Sequence, residues 1–449
     1  MAGSVFDSQI YGAFFNPGEV GRLFTDTAET RAMLLVEGTL AKAQGELGVI
    51  PESSAKAIGR AVVEVNLDAA ALKLPTGQNG VPVPGLIAAF RAEMNAPEHA
   101  QYVHWGATSQ DIMDSALMLR LRQALALVED QMTATLKTLA GLARSHAELP
   151  MPARTYGQHA TPTSFGAVVA TWGEALWDLL QELPQLRKTC LLISLSGAAG
   201  TSNALAPKAA ETRAAMAKGL GLSDPMRSWH SDRTPVLRLM DWFLRLNIAL
   251  GKMGEDCFGL TQSGISEITL GDAGSSSTMP QKQNPVNASA LIALARQGSA
   301  LMSALHNSGL QQHQRDGAAW FTEWLSVPQI VLGSASATRI ARELSATITP
   351  QPENMLQALE RANGMIHAEA LSFALSETLP RPAAQATVKR LCQESSGTGQ
   401  DLRSLAERDF PGLAFDNLFD PVQQLGTAPA EALRFAQKVE ELGAADTTS

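Results

Sequence analysis

Residues 271–289, "GDAGSSSTMPQKQNPVNAS", gather serines, glycines, prolines and a lone lysine in a chain otherwise rich in alanine and leucine. Lys282 and Asn284 stand two residues apart, so an extended backbone points both the same way. Pro280 and Pro285 stiffen the far side of the stretch, while the Ser/Gly side stays mobile. A segment rigid at one end and mobile at the other is suited to closing over a reaction as a lid. The same composition also describes a solvated linker between helices.

Two further polar, glycine-bearing stretches break the helical pattern: "HWGATSQD" at 104–111 and "RTYGQHATPTS" at 154–164. Thr108 and Ser109, followed by Asp111, form a helix N-terminal cap, and a helix start with free N–H groups is also where a carboxylate binds well. His159, flanked by Gln158 and Thr161, lies in a polar break between long helices and is the candidate proton carrier. His99, His146, His306 and His367 read as ordinary structural histidines.

Long helices must position these stretches. Met113, Leu117, Leu121, Ala124, Val128, Met132, Leu136, Leu139 and Ala143 recur by threes and fours and so line one stripe of a single helix. At 1.5 Å per residue this is a rod of about 54 Å, too long for the core of one compact domain without comparable neighbours. The periodicity supplies them at about 163–193, with Pro184 as a kink, and at 236–268, 286–308 and 321–347. An earlier helix runs from Thr27 to Leu47 behind a cap at Asp26, with Gly48 as its stop, and the Gly/Pro-rich residues 74–86 read as a loop. Shorter helices follow Glu353, and the last residues, "GAADTTS", read as frayed. The expectation is an all-α protein with three helical domains: an N-terminal domain at 1–108, a central long-helix bundle at 109–352 carrying the 271–289 loop, and a small C-terminal domain at 353–449. Apolar residues on more than one helix face predict a homo-oligomer.

Composition excludes several classes. The 449 residues are 45% hydrophobic and 18% charged, which describes a globular chain with a large core. A net charge of -9 and no Lys/Arg cluster argue against nucleic acid, leaving a small anionic molecule as the partner if cations are placed locally. Cys190, Cys257 and Cys392 are far apart, form no CxxC pair and read as buried free thiols of a reducing compartment. The N-terminus has no leader pattern and no window approaches a membrane span, which predicts a cytoplasmic protein without membrane contact. P-loop, GxGxxG, HExxH and GxSxG patterns are absent from the sequence.

"SSTMPQKQNP" resembles the GSSxMPxKxNP signature of the fumarase/aspartase superfamily. "VHWGATSQDIMD" is similar to that family's first signature segment and "GQHATPTSFG" to its second, in the same order, while "AMLLVEGTLAKAQGELGVIP" and "NGMIHAEALSFAL" extend the likeness over most of the chain. The resemblance implies a homotetramer with a twenty-helix core, in which three segments from three subunits surround each active site, and a reaction without metal or cofactor. Such enzymes add to, or eliminate from, a carbon next to a carboxylate, stabilising a carbanion with hydrogen bonds and a cation. On this likeness Ser276 is the general base, with Ser277 as fallback, and His159 the general acid; Lys282, Asn284, Thr108 and Ser109 bind substrate carboxylates, with Gln158 and Thr161 beside them.

Two departures bear on the subfamily. Ser275 stands where the family carries glycine, with Gly274 before it, and Ser289 stands where adenylosuccinate lyases carry a glutamate that pairs with the acid histidine. Carboxymuconate-type cycloisomerases lack that glutamate, and "SWHSDR" at 228–233 and "HQRDGAAWFTEW" at 313–324 look closer to theirs. The resemblance then makes His230, Arg233 and Arg315 candidates for the extra carboxylates of a tricarboxylate, with a structural ion pair as the competing role for each arginine. A fumarate-releasing C–N lyase of the adenylosuccinate or argininosuccinate type is the alternative activity, and a catalytically silent helical scaffold a third reading.

Overall fold

The computed structural model describes residues 3–271, 274–275, 279, 282–361 and 363–446, with the side chains of 274, 275 and 443–446 outside the description. Its long helices are Ser109–Ser145, Phe165–Cys190, Thr234–Leu260, Val286–Asn307 and Gly317–Ser345. They are the spans the apolar periodicity predicts, with ends displaced by a few residues, except that Thr234–Leu260 stops well short of the expected 268. Along Ser109–Ser145 the stripe residues Leu121, Ala124, Val128, Met132, Leu136, Leu139 and Ala143 are at most 1% exposed. Leu117 alone among the nine stripe positions is only half-buried. Strand structure among the described residues is limited to three two-stranded ribbons, so the fold is all-α.

The chain forms two compact units. The first combines Met1–Gln131, Leu179–Ile248 and Leu294–Arg339; the second combines Met132–Asp178, Ala249–Ala293 and Ile340–Ser449. These units cut across the spans 1–108, 109–352 and 353–449, because every long helix contributes residues to both. Within the second unit the C-terminal helices Ala368–Leu375, Arg381–Thr398 and Leu402–Asp409 close on a small core of their own that includes Leu371, Leu391, Leu405 and Phe415.

The early helix spans Asp26–Glu46; its cap is Thr25 rather than Asp26, with the Thr25 hydroxyl accepting from the Ala28 amide at 3.2 Å. The expected loop at 74–86 is corrected: Lys73–Asn79 and Val83–Met94 are helices. Pro84 lies in the first turn of the second of them, where its missing N–H costs nothing, and Gly80 at φ 72° ends the first. The residues that break a helix interior here mark a stop and a start. Cys190 and Cys257 are buried free thiols and Cys392 is half-buried and free; burial pushes all three thiols up from their ordinary pKa.

Among the described residues, Val286–Asn307 is the one helix long and apolar enough to cross a membrane, and buried core helices meet the same test.

Candidate active site

In the first unit the site is built around the start of the Ser109–Ser145 helix. Asp111, in its first turn and fully buried, reaches back to the Thr108 amide at 3.0 Å, which completes one half of a capping box. The same carboxylate accepts from the Ser194 hydroxyl at 3.0 Å, the Ser196 amide at 2.8 Å, the Gly197 amide at 2.9 Å and His230 Nε2 at 2.7 Å. A buried carboxylate is stable only when its lone pairs are taken up, and here donors from three chain segments do so. The approach to the helix is equally constrained. Gly106 has φ 74°, and a Cβ there would fall 2.6 Å from Leu205 Cδ2.

Gln110, the next residue inward, donates from Nε2 to the His230 carbonyl at 3.0 Å and accepts from Arg315 Nε at 2.8 Å. Arg315 is thereby docked beside the helix start, and its Nη2 is buried with no partner among the described residues. Thr108 and Ser109 are half-buried at the same place. An unpaired guanidinium N–H beside a helix start is an anion-binding arrangement.

The sequence reading leaves Arg233 two roles, carboxylate ligand or structural ion pair, and its surroundings in this chain match the second, while His230 is enclosed as well. His230 is 2% exposed and tied to Asp111. Arg233, with no exposed side-chain surface, donates to both oxygens of Asp114 at 2.8 and 3.0 Å and to both oxygens of Glu323 at 2.7 Å, while its guanidinium stacks 4.8 Å from the Trp229 ring. Burial disfavours its charge, but the two carboxylates outweigh that and raise its pKa; burial in turn raises Glu323 against the pull of Arg233. No face of Arg233 is left for a ligand, so it is a structural ion-pair residue, and His230 is part of the frame around Asp111.

In the second unit, Pro150–Thr155 and Gln158–Ser164 form an antiparallel hairpin. His159 lies opposite Arg154 in register, past an irregularity between Pro152 and Arg154. Arg154 forms a two-pronged ion pair with the fully buried Glu267, at 2.8 and 2.5 Å. His159 and Gln158 are exposed and Thr161 is half-buried. Gly157, Gln158 and His159 line a cavity of about 400 Å³ with Met365 and Ile366. Desolvation, and then the Arg154 cation, hold the His159 pKa below its ordinary value, with Glu267 pulling the other way.

The 271–289 stretch is described in part. Gly274–Ser275 pairs antiparallel with Gln283–Asn284, so the segment returns on itself. The Lys282 amide donates to the Met279 carbonyl at 2.9 Å; the Lys282 side chain is exposed and Asn284 half-buried. Ser289 sits in the first turn of Val286–Asn307 and donates to the Pro285 carbonyl at 3.0 Å. Ser276 and Ser277 lie outside the described residues.

The profile of a lyase family matches residues 14–298. The chain belongs to the fumarate lyase superfamily. This superfamily member is 33% identical over 447 residues to the 3-carboxy-cis,cis-muconate cycloisomerase of Pseudomonas aeruginosa, covering 97% of each chain. It is 32% identical to a nitrosuccinate lyase of Streptomyces davaonensis, over 90% of this chain and 89% of that one. The solved 3-carboxy-cis,cis-muconate lactonizing enzyme of Pseudomonas putida superposes with a TM-score of 0.89 at 31% identity, covering 97% of this chain and 99% of that chain.

Sequence reading missed Asp111 as a hub, Gln110 as the dock for Arg315, and the Arg154–Glu267 pair. Asp111 was visible only as a cap residue. The donors that make it a hub lie more than 80 residues downstream in sequence.

Proposed function

We propose that this fumarate lyase superfamily member is a cycloisomerase that closes 3-carboxy-cis,cis-muconate to its γ-lactone, as a step of aromatic catabolism in the cytoplasm. One observation carries the reading: the buried, unpartnered Nη2 of Arg315, docked by Gln110 beside Thr108 and Ser109. It supplies a cation beside a helix start for a substrate carboxylate. Likeness over nearly the whole chain to cycloisomerases of that substrate supports the choice. In the reaction one substrate carboxylate oxygen forms a C–O bond to an alkene carbon. The π pair moves to the neighbouring carbon, and this carbanion takes a proton. Arg315 and the helix start hold the negative charge that develops next to the carboxylate. His159 is the proton donor in this scheme, and Lys282 and Asn284 hold a second carboxylate. In reverse, neutral His159 takes the same proton back, and Ser276 is the base that abstracts the proton next to the carboxylate in the eliminations of the second reading.

The enzyme is a homotetramer whose sites combine segments of different subunits. Exposed apolar residues on the long helices support this, namely Leu325 at 76%, Ile248 at 49%, Phe321 at 43% and Phe258 at 40%. The second reading, a lyase acting on a substituted succinate with loss of fumarate, is favoured by the similarity to nitrosuccinate lyase.

Purified protein offered 3-carboxy-cis,cis-muconate and, separately, adenylosuccinate and nitrosuccinate separates the readings by ultraviolet absorbance and product chromatography. Lactone formation from the muconate supports the first; fumarate release with no lactone replaces it with the second.

A further inference from the structure

We infer that the first unit holds a second ligand site, for an aromatic carboxylate, in a cavity where the buried Arg120 takes the carboxylate and Phe24, Trp320 and Trp324 take the ring. This goes beyond the reaction proposed above and does not rest on it.

The cavity lies among the helices Asp26–Glu46, Ser109–Ser145 and Gly317–Ser345. Its volume is about 660 Å³, the size of sites that enclose a small organic molecule. All its lining residues belong to the first unit, and Thr108, Ser109, Gln110 and Arg315 are not among them. Phe24, Met33, Leu117, Trp320 and Trp324 supply apolar walls, with the two indoles set edge to face at a centroid distance of 5.0 Å. Leu117 is the stripe position left half-buried on the Ser109–Ser145 helix, and its place on this wall accounts for that.

Among the described residues, one buried polar atom of this lining lacks a partner. Arg120 is 8% exposed, yet its Nε–H meets no acceptor. Its charge is balanced only at arm's length: Glu29 Oε2 stands 3.5 Å from Nη1, and Cζ lies 5.4 Å from the Phe24 ring centroid. Burial holds the Arg120 pKa below its ordinary value, with Glu29 pulling it back. A buried charged donor without an acceptor is costly, so a ligand that brings one gains by it.

The acids of the lining make no matching demand for a cation. Asp114 and Glu323 give both oxygens to Arg233. Asp26 and Glu29 lie in the first turn of Asp26–Glu46, where the helix dipole holds negative charge. The unmet group is therefore a cationic donor, which a carboxylate satisfies with a charge-assisted hydrogen bond. Glu29 is half exposed and can turn to water as the ligand enters. The aromatic walls select the rest of the molecule, since a flat ring packs against Trp and Phe edge-on or offset.

The test is isothermal titration calorimetry of the full chain with 2-naphthoate, beside 2-naphthylmethanol and 2-naphthylmethylamine as neutral and cationic counterparts. Wild type, Arg120→Met, Leu117→Phe and Arg315→Ala are compared, with melting temperatures showing that each is folded. Wild type should bind one naphthoate per chain, about tenfold or more tighter than the alcohol, the size of a hydrogen bond to a charged group. Arg120→Met should lose that preference. Leu117→Phe, which takes up cavity volume, should weaken naphthoate about tenfold without lowering the melting temperature. Arg315→Ala should bind naphthoate as wild type does. No naphthoate binding by wild type overturns the inference, as does equal binding of the alcohol. Tighter binding of the amine overturns it in favour of a cation site. Binding lost in Arg315→Ala and kept in Arg120→Met overturns it by placing the ligand in the candidate active site. If Arg120→Met does not fold, the preference for naphthoate over the alcohol and its weakening in Leu117→Phe decide the matter.

Discussion

At the scale of single residues, two cations on similar-looking segments have opposite fates. Arg233 and Arg315 both follow polar breaks in the sequence, and only their partners tell them apart. Arg233 is enclosed by two carboxylates, while Arg315 is held at one nitrogen by Gln110 and has a second buried and unpaired. Replacing Arg315 by Ala should therefore raise KM by about tenfold to a hundredfold, the value of a charge-assisted hydrogen bond, and lower the melting temperature because the buried Gln110 Oε1 loses its donor. A KM within twofold of wild type in steady-state assays would remove Arg315 from the site. His159 gives a second prediction, in pH. Desolvation and the Arg154 cation favour its neutral form, so the protonated form needed for proton donation is lost as pH rises through a value below the ordinary 6.5. The basic limb of the kcat/KM profile should break below 6.5. Replacing both members of the buried pair, as Arg154→Met with Glu267→Met, removes the cation without stranding a carboxylate and should move that break upward. An unmoved break would separate His159 from the proton transfer.

At the scale of elements, the start of the Ser109–Ser145 helix is where the fold becomes a site. Asp111→Asn keeps the shape but turns an amide N–H₂ toward groups that themselves donate, so thermal or urea unfolding should show a loss of about 3 kcal/mol. A loss below about 0.5 kcal/mol would mean that the surrounding donors find water instead. Much of this element was legible in the sequence and some was not, for physical reasons. The apolar stripe from Met113 to Ala143 is written in neighbouring turns of one helix, so spacing alone reveals it. The Thr108–Asp111 cap is equally local. The ion triad of Asp114, Arg233 and Glu323 is not, because its members lie 119 and 90 residues apart and only the fold brings them together. The 150–164 hairpin was read as a polar break since its strands are short and half exposed. Residues 74–86 misled because the same prolines and glycines that break helices also begin and end them.

At the scale of the whole molecule, the apolar surface left on the long helices asks to be covered. Leu325, 76% exposed near the start of Gly317–Ser345, is a direct probe. On the proposed homotetramer, Leu325→Asp should shift the protein to smaller species and lower activity in proportion, seen by sedimentation velocity beside turnover at matched concentrations. An intact tetramer with full activity would place the subunit contacts elsewhere. Asp111 also sets a timetable. Its carboxylate is enclosed only after Ser194, Ser196, Gly197 and His230 have arrived. On the ribosome, the chain must therefore be made beyond residue 230 before the helix start closes. Up to that point the nascent helix has only its own cap, its carboxylate still in water, and the dock for Arg315 does not exist. A prematurely terminated product thus carries the first signature segment without an anion site, and so cannot compete with finished enzyme for substrate.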